Sequence, residues 1–422
     1  MHRGSRIAAA VATCALALST VSCAAERGPK PVQLGAIYPV SGLQGPGGLD
    51  ESRGALLAVE RANRDGGLRG RPLKVKLLDV AASHQAPAAM DKLRGAGIRL
   101  VLGTYGSTIS SVATKAAKRD GMLLWETGAV GVQPPDSGGG ESFFRMAPQG
   151  ANLGRVAVAF VRDQLAPQLN AGRPLRYAVT YVDDEYGRAV GLGAIDEARN
   201  SGQELVGQFG YNVHAFDAAD LVRRVAETKP DVLFVSAYLE DGIAIRRATI
   251  DQHVPLLASI GTSSSYCMPE FGLRLRQGAV GLFASDKPDG DVLRPDALAA
   301  EGRRLLRWVR DRYQARFRKS MSPAALAGFA NTWAFVHHVL PAARTLAPAD
   351  VAAAARSVKL ARGTLANGAG LDLAGPGDRE AGENRAALSI VWQWVDPTKH
   401  KQAVVWPPAF ATQELRNIPI QQ

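Results

Sequence analysis

The chain has 422 residues, 46% of them hydrophobic and 21% charged, an ordinary globular composition that is too long for one compact core and implies two or more domains. Its formal charge is +11, but Lys and Arg are interleaved with Asp and Glu, and no helix-turn-helix, zinc or aromatic-plus-basic pattern accompanies them. Nucleic-acid binding is therefore not expected, and the charge fits a surface that tolerates anionic headgroups or attracts anionic ligands.

The first 25 residues read as an export signal. Arg3 and Arg6 precede "IAAAVATCALALSTV", an apolar run too short for a comfortable membrane span. Ser22-Cys23-Ala24 resembles a bacterial lipoprotein cleavage box, which would make Cys23 the acylated first residue of a protein tethered to the outer face of the cytoplasmic membrane. Thr20 stands where such boxes prefer Leu, Val or Ile, so ordinary cleavage after Ala25, giving a soluble periplasmic or secreted product, stays open. With Cys14 and Cys23 accounted for, Cys267 is left without a disulfide partner and reads as a buried small hydrophobe.

After the polar linker "AAERGPKP", strand and helix patterns alternate. "VQLGAI" is strand-like, the Gly-rich stretch "YPVSGLQGPGG" follows, and "SRGALLAVERAN" has helical spacing. "LKVKLLDV" alternates at period two, "APAAMDKLRGAG" is helical, "IRLVLG" is an apolar strand, and a short helix from Ser107 to Arg119 leads to "MLLW". The pattern pauses near Pro148 and Gly150 and restarts with the same grammar from "RYAVTYVDD" to "PLLASI". Long helical stretches, a loop-rich polar segment over 363–385 and the strand-like "ALSIVWQWV" and "QAVVWPP" close the chain. Repeated strand-helix-strand units imply parallel sheets with helices on both faces. Trp308, Trp333 and Trp392 read as core residues.

The sequence lacks G-x-x-x-x-G-K-[ST], G-x-S-x-G, H-E-x-x-H and C-x-x-C. His337 and His338 are expected on different helix faces, so no metal site and no cofactor are expected, and no enzyme activity. The acids Asp183, Asp184 and Glu185 read as a solvated loop. Two strand ends followed by a helix N-terminus stand out. One is "YPVSGLQGPGG", which is no dinucleotide fingerprint. The other is "LVLGTYGSTISS", where Ser107 and Thr108 open a helix at the crest of the sheet, the usual place for a ligand in such folds. An N-cap role for either hydroxyl is the simpler alternative.

The chain resembles the periplasmic leucine/isoleucine/valine-type solute-binding proteins of ABC transporters. The likeness rests on "LGAIYPVSG", "RGALLAVERANRDGGLRGRPLKVKLLD", "VLGTYGS", "FFRMAP", "YVDDEYGR" and "VVWP", in matching order and spacing. It implies the type I fold: two doubly wound parallel-sheet lobes joined by three crossovers, which close on a ligand. Lobe one would combine 31–148 with 285–375, and lobe two 149–284 with 376–422. The implied function is the extracytoplasmic binding component of an importer for branched-chain amino acids or a related amide, urea or small carboxylate, with a permease and an ATPase as partners. A sensory module of the same fold is the alternative, and a secreted hydrolase a more distant one.

The resemblance also implies site residues. The ligand carboxylate would meet Ser107 and then Gly128, Ala129 and Val130, the last standing where Thr is usual. Tyr186 and Tyr238 would form the aromatic shelf of the second lobe. The acids that hold a ligand ammonium align with Gly150 and near Ile260, neither of which carries charge. Glu126 in "WETGA" could substitute, or could be an exposed loop acid. Gly47 falls where relatives place an aromatic residue, which would leave room at the mouth of the site.

Overall fold

The computed structural model describes residues 29–131, 138–169, 173–262, 264–289, 292–396 and 401–422. The signal sequence and Cys23 lie outside them. Strands β1 (Val32–Tyr38), β2 (Leu73–Asp79), β3 (Leu100–Gly103), β4 (Leu123–Glu126) and β5 (Phe143–Arg145) form one parallel sheet in the order β2-β1-β3-β4-β5. β3 and β4 are buried along their whole length, as strands covered by helices on both faces must be.

The second sheet contains β6 (Arg176–Val182), β7 (Glu204–Tyr211), β8 (Val232–Ser236), β9 (Ala258–Thr262), β10 (Phe283–Asp286), β11 (Ile390–Asp396) and β12 (Lys401–Trp406), in the order β12-β11-β10-β9-β8-β6-β7. Its first five strands are mutually parallel. β11 and β12 run antiparallel to β10 and to each other, so the sheet is mixed rather than purely parallel. Only four residues separate β11 from β12, a length that can join antiparallel neighbours but not parallel ones.

The chain passes between the two sheets three times: from β5 to the helix Gly150–Phe160, from β10 to the helix Ala300–Phe317, and through the loop-rich segment that leads to β11. After β10 the helices Ala300–Phe317 and Pro323–Trp333 return to the first sheet and share a core with β1 and β3. Trp333 and Trp392 are buried, Trp308 packs at the edge of that first core, and the Cys267 thiol lies in the core of the second sheet.

The helix Gly45–Arg64 carries the wall of the later site, and two features fix it. Its Asp50 carboxylate is buried and accepts hydrogen bonds from Tyr313 Oη (2.8 Å), Ser322 Oγ (2.9 Å) and Lys319 Nζ (2.9 Å), all on the returning segment. Gly54 and Gly328 then let it lie directly on the helix Pro323–Trp333. A Cβ on Gly328 would strike the carbonyl oxygen of Glu51, which is backbone and cannot step aside. Gly328→Ala should therefore lower stability by about 2 kcal/mol through overpacking, read as a shift in the urea midpoint at unchanged slope.

Candidate functional site

The helix begins earlier than its periodicity suggests. Gly45 to Gly48, expected as loop, already form its first turn, with Pro46 at a starting position that suits its fixed φ and missing N–H. Gly48 is required there, because any side chain would run into the carbonyl of Pro39. Gln44 is thereby left at the helix N-terminus, facing the second sheet.

The carboxyl ends of both sheets face each other across a narrow cleft lined by Gln44, Tyr105, Gly106, Ser107, Gly128, Val130, Tyr186, Tyr238, Ser264 and Lys287. Every one of these residues lies shortly after the carboxyl end of a strand, the general position for ligands in open α/β sheets. Gln44 Nε2 donates to Tyr238 Oη (3.1 Å), and the Tyr105 and Ser264 hydroxyls are 2.9 Å apart, so the two walls touch. Two voids of about 10 Å³ remain, each enough for one water. Admission of any solute requires these contacts to part.

Ser107, Gly128, Val130, Tyr186 and Tyr238 all line the cleft. Ser107 opens the helix Ser107–Arg119 without capping it; its Oγ accepts from Gly131 N (2.9 Å), which leaves the hydroxyl proton free to donate. Thr108 stands beside the cleft, its Oγ1 near Gln44 Nε2 at 3.4 Å. The two tyrosine rings lie 5.5 Å apart and tilted by 36°. Tyr186 Oη is 2.9 Å from Thr262 Oγ1, and Tyr238 Oη donates to Asp184 Oδ2 at 2.6 Å.

Asp184, read from sequence as part of a solvated loop, is the N-cap of the helix Glu185–Asn200. Its other oxygen accepts from Tyr186 N and Gly187 N, both at 2.9 Å, so a single carboxylate positions both aromatic walls. Burial raises its pKa, while these donors and the Tyr238 hydroxyl pull it down.

Glu126 is neither an exposed loop acid nor a cleft residue. It is fully buried, and its carboxylate accepts from Thr104 N (2.6 Å), Thr104 Oγ1 (2.9 Å), Ser110 Oγ (2.7 Å), Gly128 N (3.0 Å) and Ala129 N (2.9 Å). The N–H groups of Gly128 and Ala129, expected to be available to a ligand, are spent on this acid. Ala129 is buried behind the cleft. Arg145 of "FFRMAP" holds the same loop from the other side, donating to the carbonyls of Val130 and Gly131.

Gly47 leaves no room either. The space beside it is filled by the ring of Tyr105, with which any Cβ at Gly47 would collide. Tyr105 holds this position with φ of +67°, a conformation that costs a non-glycine residue of order 1 kcal/mol and is found mainly at functional sites. At the aligned ammonium positions, Gly150 N donates to Val130 O (2.7 Å) and a Cβ there would lie 2.9 Å from Ala189, while Ile260 is buried in the core of the second sheet.

Sequence reasoning missed Gln44, Tyr105, Ser264 and Lys287. Lys287 follows β10, is 4% exposed, donates from Nζ to Gly128 O (2.9 Å) and lies 5.6 Å from the Tyr105 ring centroid. Behind Gly128 sits Glu51, fully buried, with Oε1 accepting from Thr127 Oγ1 (2.6 Å) and Oε2 without a hydrogen-bond partner. Burial pushes the Glu51 carboxyl up to about 8; Lys287 opposes this rise and Glu126 adds to it.

Outside the cleft, an open groove of about 520 Å³ runs beside the crossovers, between Arg155, Arg362, Glu383 and Trp406. His337 and His338 are not separated as expected: a π-helical turn over Ala334–Val339 brings ligand atoms of both within 4.8 Å of Glu301 and of each other. Glu301 also accepts from Trp333 Nε1 (3.1 Å) and pairs with His338 Nε2 (3.0 Å), which ties two helices together. Among the described residues, no helix is long and apolar enough to cross a membrane.

A family model described as periplasmic binding protein matches residues 31–387. Leu/Ile/Val-binding protein homolog 8 of Brucella abortus (strain 2308) is 25% identical over 389 residues, covering 91% of this chain and 93% of the relative. Among solved structures, a leucine binding protein, LivK, from Thermotoga maritima MSB8 superposes with a TM-score of 0.73 at 14% identity, over 88% of this chain and 97% of its own. The branched-chain amino acid substrate binding protein LivJ from Streptococcus pneumoniae, in complex with isoleucine, gives 0.70 at 18% identity, over 90% and 100%. A solute binding protein from R. palustris, in complex with benzoate, gives 0.71 at 16% identity, over 92% and 99%. With its two parallel-dominated sheets and a family match over most of its length, this chain belongs to the periplasmic binding proteins, an extracytoplasmic family of solute-binding proteins.

Proposed function

We propose that the protein is the solute-capturing component of an ABC importer, a binding protein rather than an enzyme, handing a small polar solute to a permease driven by an ATPase. Ligand would be held between lobe one (31–148 with 285–375) and lobe two (149–284 with 376–422), through Ser107, Gly128 and Val130 on one side and Tyr186 and Tyr238 on the other. Lipidation of Cys23 would keep the protein at the outer face of the membrane. The observation that carries this reading is the cleft itself: among the described residues, ten that follow strands of both sheets converge on it, and its walls meet through polar contacts, Gln44 with Tyr238 and Tyr105 with Ser264 among them, that a ligand can replace.

A thermal-shift screen of the exported chain against amino acids, amides, ureas and small carboxylates tests it. One chemical class should raise the melting temperature, because a solute at one hundred times its Kd stabilises the folded form by about 2.7 kcal/mol. A flat response across all four classes would count against a solute-binding role.

A further inference from the structure

The cleft is built without the group that a zwitterionic ligand most needs. Among the described residues, none of the ten that line it carries a carboxylate. The acids around it are engaged or set back: Glu126 by five donors, Asp184 by two backbone N–H groups and Tyr238, Asp286 by the Cys267 thiol, and Glu51 behind Gly128. A free ammonium closed into this space would be buried without a counter-charge, a very costly arrangement.

Among the described residues, Lys287 is the only charged one in the lining. Its Nζ donates to a backbone carbonyl and faces an aromatic ring, surroundings that suit an ammonium ion. No carboxylate lies within 4.0 Å of it among the described residues. The neighbouring Asp286 interacts with the Cys267 thiol, and burial holds Glu51 toward its neutral form.

On the reading that the cleft binds a solute, we infer that Lys287 supplies from the protein the positive charge that an amino acid would bring with it, so that the preferred solute is a small carboxylate without an α-ammonium. Lys287 and the free hydroxyl proton of Ser107 then donate to the carboxylate, and the tyrosines of both walls cover its apolar part. Among the described residues, no carboxylate of the lining offsets the charge of an amine, and Lys287 repels one.

The test is isothermal titration of matched sets: 4-methylpentanoate, its amide and leucine on one skeleton, and benzoate, benzamide and phenylglycine on another. On any skeleton that binds, the acid should bind at least tenfold more tightly than the amide or amino acid. Lys287→Met should weaken the acid about 30-fold, the scale of a lost charged hydrogen bond, whereas Lys287→Arg should retain most of the affinity. Should Lys287→Met fail to fold, the ratio of acid to amide affinity in the unmodified protein decides. Tighter binding of leucine or phenylglycine than of the acid, or acid affinity unchanged in Lys287→Met, would overturn the inference and leave the solute-binding reading intact. Absence of binding by both skeletons and by the wider screen would overturn both.

Discussion

Replacing Glu126 with alanine should cost the protein about 4 kcal/mol of stability, without any ligand present. The carboxylate is the shared acceptor for five donors: two from Thr104, one from Ser110, and the backbone N–H groups of Gly128 and Ala129. All lie in a region closed to water, and an unsatisfied buried donor costs about 1–3 kcal/mol. Alanine would take this acceptor from the three backbone N–H groups of Thr104, Gly128 and Ala129, while the Thr104 hydroxyl keeps Gly106 O at 3.0 Å, and the recovered desolvation of one carboxylate offsets part of the loss. Both cleft loops that hang on this residue, 104–107 and 128–131, should loosen together. Urea denaturation followed by tryptophan fluorescence measures the effect; a loss below about 1 kcal/mol would show that the network is not load-sharing in the way its geometry implies.

Glu51→Gln should act in the opposite direction and only at higher pH. In the folded protein the Glu51 carboxyl is raised from 4.5 to about 8, chiefly by burial. Its favourable contribution is thus fully present below the unfolded value of 4.5 and is lost as pH rises through about 8. Glutamine cannot ionise and avoids that loss. At pH near 4 the variant and the parent should be nearly equal, and near pH 8 the variant should be more stable by on the order of 3 kcal/mol. Denaturation midpoints measured across this range check both ends. Equal stability at pH 8 would mean that Glu51 is ionised and compensated by Lys287, and would weaken the case that Lys287 is left for a ligand.

The strands could be read in the sequence because burial and alternation leave a direct mark on residue type. "LVLG" and "VLFVS" are buried throughout and almost wholly apolar since both faces of a parallel sheet are covered, while "LKVKLLD" alternates at the edge of the first sheet. The start of the helix Gly45–Arg64 was obscured for a physical reason. Glycines at 45, 47 and 48 look like loop, yet Gly47 and Gly48 are needed for close approach to Tyr105 and Pro39 within a helical turn. The antiparallel β11–β12 ribbon carries the same apolar residue types as a parallel strand, so its direction left no pattern to read.

The site was legible where a strand end coincides with a helix start, as at Ser107, or where a resemblance named the residue, as at Tyr186 and Tyr238. It was illegible where two lobes distant in sequence complete one another. Tyr105 follows β3 and meets Ser264 after β9; Gln44 follows β1 and meets Tyr238 after β8. Lys287 was open to discovery by the single rule that ligands sit beyond the carboxyl ends of parallel strands, because it is the first residue after β10. Glu126 misled in the other direction. An acid at such a strand end can serve a ligand or the loop, and only the five donors around it separate the two roles.

The central claim is that a small solute is held between the two sheets by residues of both. Its most direct test is isothermal titration of the best solute from the screen against two single variants, Ser107→Ala on one wall and Tyr238→Phe on the other. The account predicts one site per chain in the parent and at least a tenfold loss of affinity in each variant, a scale set by about 1.4 kcal/mol for a lost polar contact. Full affinity in both variants would place the solute somewhere other than this cleft.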